Sequence, residues 1–531
     1  MRRVVLLSGE EFLDDVSLLV DHHLVRREED ADGAPRIGML ETLREYGSAQ
    51  LLLDSEAEAT QCAHAQYYLE FAETVGPHLM RSEQVYWFAR LEEEHDNFRV
   101  ALRWALERKE VAIGLRLAVA LHGFWFTRGH LSEGRSWLET TLELVEREHE
   151  LAAELAPARA KALSGAGVLA QRQGDYGRGT ALQEDALARF RALGNSAAVA
   201  IALNNLGLVA REQGDYARAM ARFEEALRLA RSAGGTLLIA VLLNNLELLV
   251  HDQGDYRQAA ALLGEAQAIE EHPEDSKCRA AFLYNRGNLS VGQGDYGCAV
   301  TLLEESLAQF RDIGYPWGCA FALHDLGDVA RHQGEYRQAA ALLEESLGLF
   351  RRLGDTWGCG IPLATLGYVA CAQGDYKRAV VFLGESLELR RSVGDQRGTA
   401  DSLTGLGHVA RQQGDVTRAA QLYYEGLAQH QRMGNRVGVA ECLEGIAHLL
   451  CAQGRAEQAA RLCAAASALR ETLGAPLPPL ERGVCRRTLE EARATLGAAR
   501  FDAVVVESRA MPLEQIVNLA AEASAGLAIA H

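Results

Sequence analysis

The chain has 531 residues, of which 48% are apolar and 24% charged; 54 basic and 73 acidic side chains give a net charge of −19. The apolar and charged fractions are ordinary for a folded protein, whereas the negative charge argues against nonspecific binding to nucleic acid. Because the chain is longer than one ordinary globular core, we expect a multi-domain or repetitive architecture.

Neither the cysteines nor the apolar runs indicate a secreted or membrane protein. Ten cysteines occur without a Cys-x-x-Cys pair, which fits reduced thiols in the cytosol. The apolar run at residues 4–7 is too short for a signal peptide, and no stretch reaches spanning length without charges. We therefore expect a cytoplasmic protein with no membrane partner.

Residues 1–54 predict a helix, a β-hairpin and a second helix. The first helix covers about residues 10–20, with Leu19 facing inward, and strands at 23–26 and 35–39 surround a polar tip. A helix at 40–53 follows. This order resembles the back half of a winged helix.

Two phrases here resemble a known family. Leu-Val-Asp-His-His-Leu-Val-Arg at 19–26 and Met-Leu-Glu-Thr-Leu-Arg-Glu-Tyr at 39–46 look like the segment after the nucleotide-binding module in STAND-type (NB-ARC) bacterial regulators. Residues 91–105 resemble that family too. Its members are signal-transducing ATPases, many ending in a LuxR-type DNA-binding domain, so the resemblance implies transcriptional regulation.

Residues 55–155 predict helices of weaker periodicity, with an irregular repeat at 115–150. Beyond them a tetrapeptide, Gln-Gly-Asp-Tyr, recurs every 40 residues. Its eight copies begin at Gln173, Gln213, Gln253, Gln293, Gln333, Gln373, Gln413 and Gln453. Glu335 replaces the Asp in the fifth copy, and the last two copies diverge. A constant period of this size is typical of a stacked repeat.

The tetrapeptide predicts a turn between two helices. Its Gly suits the left-handed C′ position of the first helix, and its Asp suits the N-cap of the second. A second glycine column, Gly194 and its equivalents, follows 20 residues later, except where Glu274 follows Pro273. Each unit is therefore predicted to be two helices, A and B.

Small residues recur at two further columns. The column of Gly207 is mostly glycine, with Glu247 and Ala447 as exceptions, and the column of Ala219 is small throughout. Small residues in both helices allow a close crossing. Together with Leu206, Phe223 and Ala226, this pattern resembles the tetratricopeptide repeat. The resemblance implies an all-α superhelical solenoid of antiparallel helix pairs.

We divide the chain into four segments: a partial winged-helix-like segment (1–54), an irregular helical region (55–155), eight regular repeats (156–475), and a helical cap and tail (476–531). Helices at 480–496 and 513–523 should cover the end of the solenoid. The tail has no helix-turn-helix pattern.

No motif indicates catalysis. The sequence contains no G-x-x-x-x-G-K-[ST], H-E-x-x-H or G-x-S-x-G pattern and no paired Cys/His spacing. We therefore expect no enzyme, no catalytic residue, no cofactor and no metal site.

The resemblance implies that the A helices line a concave groove. Groove columns vary while packing columns hold, which is where specificity would be encoded. The residues predicted to bind a ligand are Asn204, Asn244, Tyr284, His324, Asp328, Arg331, Tyr368, His408 and Arg411.

Three functions are open at this stage. The first is a non-catalytic, signal-sensing arm of a STAND-type regulator; it would bind a protein, a peptide or a small-molecule inducer and would work with an ATPase and DNA-binding module in cis or in trans. The second is a free-standing scaffold that assembles other proteins. The third, DNA binding by basic residues such as Arg2, Arg3 and Arg26, is disfavoured by the acidic balance, and we expect no direct nucleic-acid partner.

Overall fold

The computed structural model describes residues 9–29, 35–51, 57–80, 83–147, 153–269 and 276–529. The chain forms two compact units, one of Met1–Phe124 with Ser136–Ala162, and one of Trp125–Arg135 with Leu163–His531. Arg2, Arg3 and the Pro273–Glu274 slot lie outside the described residues. Among the described helices, none is long and apolar enough to cross a membrane.

A helix, a hairpin and a second helix open the described chain, which confirms the prediction. The two strands pair antiparallel, with Val25 opposite Met39. Leu19, expected to face inward, is instead 36% exposed, because α1 packs mainly against β1 among the described elements. The elements are α1 (Gly9–Asp21), β1 (Val25–Glu29), β2 (Pro35–Met39) and α2 (Glu41–Leu51).

The next helices differ in length and spacing. In the first compact unit, Phe98 stacks on Phe71 with ring centroids 6.0 Å apart and meets the edge of Tyr68 at 5.3 Å. The helices are α3 (Ala57–Val75), a 3₁₀ turn (Gly76–Met80), α4 (Gln84–Glu93), α5 (His95–Glu107), α6 (Val111–Arg128) and α7 (Leu131–Arg147).

Eight regular helix pairs follow, and they confirm the predicted all-α solenoid. The A helices are α8 (Ala156–Arg172), α10 (Ser196–Glu212), α12 (Thr236–Asp252), α14 (Ser276–Gly292), α16 (Pro316–Gln333), α18 (Thr356–Ala372), α20 (Gln396–Gln412) and α22 (Arg436–Ala452). The B helices are α9 (Tyr176–Ala192), α11 (Tyr216–Ala233), α13 (Tyr256–Ile269), α15 (Tyr296–Asp312), α17 (Tyr336–Leu353), α19 (Tyr376–Ser392), α21 (Val416–Met433) and α23 (Ala456–Leu473).

The turns inside each pair have the predicted chemistry. Every glycine of the two columns has a positive φ, between +62° and +84°, a region that costs glycine little. At the second copy, Asp215 N donates to the Ala210 carbonyl at 2.8 Å, and Asp215 Oδ1 accepts from Arg218 N at 3.1 Å. The first bond closes the helix end and the second caps the next helix. Glu335 makes no such side-chain cap.

A second set of caps was not predicted. At several turns between one pair and the next, the residue after the glycine caps the following A helix with its side chain. These residues are Asn195, Asp355, Asp395 and Asn435. The sequence does indicate these caps, because Asn or Asp stands directly after the glycine at each of these turns.

The helices of each pair cross closely at the predicted small residues. A Cβ on Gly207 would lie 2.5 Å from Phe223 Cε1, and one on Gly327 would lie 2.8 Å from Leu343 Cγ. Contacts this short confirm that these positions leave no room for a side chain. The crossing therefore fixes how each A helix sits on its B helix.

The C-terminal helices continue the stack. Helix α24 takes the place of a further A helix, because Thr488 Oγ1 lies 3.1 Å from His448 Nδ1, 40 residues earlier. Ile516 and Val517 of α26 are buried in the apolar core formed around α21 to α23. These helices are α24 (Pro479–Leu496), α25 (Ala498–Arg509) and α26 (Leu513–Ile529).

The second compact unit winds tightly enough for successive superhelical turns to touch. A Cβ on Gly174 would lie 2.8 Å from Val393 Cγ1. Arg257 Nη2 donates to the carbonyl of Glu471 at 3.2 Å, although the two residues are 214 positions apart. The sequence pattern did not predict this winding.

Candidate functional site

Polar side chains on successive A helices contact each other along one side of the second unit. We call this side, with its residues on α10 to α22, the inner face. His324 Nε2 on α16 lies 3.0 Å from Thr365 Oγ1 on α18, and Asn245 Nδ2 donates to Asn204 Oδ1 at 2.7 Å. The 41-residue spacing of both pairs, one more than the repeat, places the column of Asn204 in contact with the neighbouring column of Asn245 in the next repeat.

An ion pair on α16 forms the middle of the inner face. Arg331 Nε donates to Asp328 Oδ1 at 2.8 Å, and His332 Nε2 lies 3.4 Å from Asp328 Oδ2. Burial favours the neutral carboxyl, but Arg331 and His332 outweigh it and hold the pKa of Asp328 well below its ordinary value. Asp328 is therefore charged at neutral pH.

Tyr368 on α18 lies directly beside this pair. The Arg331 guanidinium carbon is 5.6 Å from the centre of the Tyr368 ring, a distance that allows cation–π attraction. The Tyr368 hydroxyl donates to the carbonyl of Asp401 at 3.3 Å, and burial raises its pKa well above the ordinary value. The structure thus brings Asp328, Arg331 and Tyr368 together.

His408 and Arg411 continue the inner face on α20. His408 Nδ1 lies 2.9 Å from the Tyr423 hydroxyl, and its ring centre is 6.1 Å from that of Tyr368. Burial lowers the pKa of His408 to about 4, so the ring is neutral at pH 7. Arg411 makes no ion pair within the described residues, and its Nε–H has no partner.

Tyr284 and His324 lie around a shared carboxylate. His324 Nδ1 is 2.7 Å from Asp325 Oδ1, and Asn288 Nδ2 donates to Asp325 Oδ2 at 2.8 Å. Burial and the Asp325 carboxylate both raise the pKa of Tyr284 well above its ordinary value. Two predicted residues therefore meet at Asp325, which was not predicted.

The two asparagines predicted for the groove are more enclosed. Asn204 is 8% exposed and Asn244 is 9% exposed. Asn204 accepts the hydrogen bond from Asn245, whereas Asn244 Oδ1 has no partner. Both asparagines lie in earlier repeats than the group around Arg331.

Sequence reasoning missed Asp325 and Thr365 for an identifiable reason. They belong to the column of Asn205, Asn245 and Asn285, and an asparagine that recurs from repeat to repeat does not by itself indicate a binding residue. In this column the residue changes from Asn to Asp325 and then to Thr365, and this departure from the recurring asparagine could have indicated both positions. No sequence feature indicated His332 or Tyr423 as part of the site, because their contacts depend on how the helices pack.

Comparison with known proteins places the repeats in a family. A model described as "Tetratricopeptide repeat" matches residues 158–232, 278–352 and 361–432. Over 191 residues the chain is 36% identical to proteins of Mycobacterium bovis and Mycobacterium tuberculosis named "Putative HTH-type transcriptional regulator". The match covers 35% of this chain and 21% of those proteins, so the chain spans about a fifth of their length.

One solved structure is similar in fold, and a second overlaps less well. A Rap protein complexed with Competence and Sporulation Factor has a TM-score of 0.51 at 14% identity, covering 70% of this chain and 98% of that one. A STAND protein with a tetratricopeptide repeat sensor from Pyrococcus horikoshii has a TM-score of 0.42 at 13% identity, covering 80% and 60%. At these identities the likeness concerns the fold alone. Residues 158–232, 278–352 and 361–432 of this chain are tetratricopeptide repeats, and part of the chain is similar in sequence to proteins named "Putative HTH-type transcriptional regulator".

Proposed function

We propose that the chain is the signal-sensing arm of a STAND-type transcriptional regulator and that it binds a protein or peptide at its inner face. The tetratricopeptide fold is an interaction scaffold, and the sequence likeness to HTH-type regulators supports a regulatory role. The N-terminal phrases that resemble STAND regulators support the same assignment. No catalytic role is part of this proposal.

One observation carries the binding proposal. The inner face of α16, α18 and α20 presents Arg331, Tyr368, His408 and Arg411 side by side, and Arg411 has no ion pair in the described part of the chain. Aromatic and arginine side chains are the types that most often anchor interfaces. An arginine without a carboxylate partner favours a ligand with an acidic group.

The test is selection from a peptide library on the immobilised full chain, followed by titration of the enriched peptides. We expect Arg331→Ala and Tyr368→Ala each to weaken binding about tenfold, as for interface anchors. Arg411→Gln should weaken binding of acidic peptides more than that of their amidated forms. Fluorescence anisotropy measures all three effects.

Two exposed residues on B helices give matched controls, Arg391→Ala and Tyr424→Ala. Both should leave affinity unchanged, with circular dichroism confirming the helical fold. Wild-type affinity in Arg331→Ala and Tyr368→Ala would contradict the site. A chain that retains no peptide would contradict the peptide-binding function itself.

The identity of the bound partner distinguishes a regulator from a scaffold. A partner that is an ATPase, histidine kinase or polymerase subunit supports regulation. A stable assembly with metabolic enzymes, bound through the same Arg331-dependent face, supports a scaffold instead.

A further inference from the structure

The turns at the ends of the helices, which we call corners, contact other corners one superhelical turn later. A Cβ on Gly214 would lie 2.8 Å from Met433 Sδ, and Gly254 faces Val437 even more closely. Between them, Arg436 N donates to the carbonyl of Gln253 at 3.2 Å. Corners of the early repeats thus rest against corners of the late repeats. We call this line of contacts the seam.

Asp252 supplies a charged contact across the seam. It is the last residue of α12, and its side chain is only 6% exposed. Arg211, on the preceding A helix, donates from Nε to Asp252 Oδ2 at 2.6 Å. Arg397 of α20, 145 residues further along, pairs with the other oxygen. One carboxylate therefore joins an arginine of its own turn to an arginine of the next.

The two arginines have different structural roles. A buried carboxylate without a partner is costly, and Arg211 remains at hydrogen-bond distance from Asp252 when Arg397 is removed. Arg397 is 35% exposed, and its Nε lies 3.8 Å from Asp401 on its own helix. Removing Arg397 therefore leaves Asp252 paired within its turn and deletes the contact between turns, together with the longer contact to Asp401.

The rest of the seam combines glycine corners with larger apolar side chains. Gly174 meets Val393, and Gly294 meets Pro476, whose Cγ would lie 3.2 Å from an added Cβ. Tyr256 is the larger contact, because its ring packs against the apolar core around α21 to α23. The Asp252–Arg397 ion pair adds an electrostatic attraction between turns to these contacts.

We infer that Asp252 and Arg397 form a latch that holds successive turns of the solenoid together, so that the winding opens when this pair is broken. The latch controls how far the inner face is enclosed. It is a property of the chain alone and does not depend on the ligand proposed above.

The amide of Arg436 reports on the latch. It belongs to the first residue of α22, whose N–H has no acceptor within its own helix, and its acceptor is Gln253 across the seam. In the full chain, Arg397→Gln should speed hydrogen exchange of this amide roughly three- to tenfold. The radius of gyration from small-angle scattering should also increase.

Arg211→Gln is the matched control, because it removes an arginine from the same carboxylate without touching the seam. It should leave the Arg436 amide protected, and Arg397→Lys should behave like the wild type. The inference is wrong if Arg397→Gln exchanges at the wild-type rate, or if Arg211→Gln accelerates exchange equally. Circular dichroism establishes that each variant is folded.

Discussion

A single residue, Glu247, breaks the pattern of its column. The equivalent position is glycine in six repeats and alanine in one, yet Glu247 is 1% exposed and both carboxylate oxygens lack partners. Burial raises its pKa well above the ordinary value, and the positive charge of Arg211 offsets this only in part. The third helix pair, α12 and α13, therefore contains a buried carboxyl that favours its protonated form.

This residue makes stability depend on pH. The pKa of Glu247 is higher in the folded state than in the unfolded state. The contribution of Glu247 to the free energy of unfolding is therefore fully present below the unfolded pKa near 4.5, and it is lost as pH rises through the folded pKa. Glu247→Gln should therefore be more stable than the wild type by about 1–3 kcal/mol at pH 8 and similar to it at pH 4.5. Urea unfolding at several pH values measures the difference. The exposed Glu224→Gln should show no such trend, and an equal trend would contradict the explanation.

At the scale of helices, the crossing of A on B depends on glycine. Gly327 on α16 faces Leu343 and the carbonyl of Ala339, which would lie 2.8 and 3.3 Å from an added Cβ. Gly348 on α17 is different, since an added Cβ would meet only the flexible end of Arg352 at 3.6 Å. The same residue type is thus required at one position and replaceable at the other.

Substituting both glycines tests this difference. Gly327→Val should lower the free energy of unfolding by about 1–3 kcal/mol, because it overpacks the crossing. Gly348→Ala should raise it by roughly 0.5–1 kcal/mol, because alanine favours the helix. Equilibrium denaturation compares the two. A neutral Gly327→Val would show that the helices can separate at little cost.

At the scale of the molecule, the C-terminal helices stabilise the end of the stack. Ile516 is 1% exposed within the core around α21 to α23, whereas Val506 on α25 is 71% exposed. Ile516→Ala should cost about 2–4 kcal/mol of stability through lost burial and a cavity, and Val506→Ala should cost almost nothing. Thermal or urea unfolding distinguishes them. Equal effects would mean that α26 does not seal the solenoid.

The repeat pattern was readable from sequence because its signals are local. Gly214 and Asp215 fix a turn through their own backbone and side chain, and Gly207 opposite Phe223 is an interaction within one helix pair. Ligand binding by the predicted residues stays a prediction, but the structure shows where they lie. The structure brings Arg331 and Tyr368 together, but it encloses Asn204 and adds Asp325.

The sequence by itself determined the helices, their turns and the 40-residue stride, because these depend on contacts between residues close along the chain. Only the tertiary structure decided the winding. Small rotations between neighbouring repeats add up over many units, so that Asp252 meets Arg397 and Gln253 meets Arg436. The accumulated rotation cannot be read from any single repeat. The inner face and the seam therefore form only in the assembled solenoid.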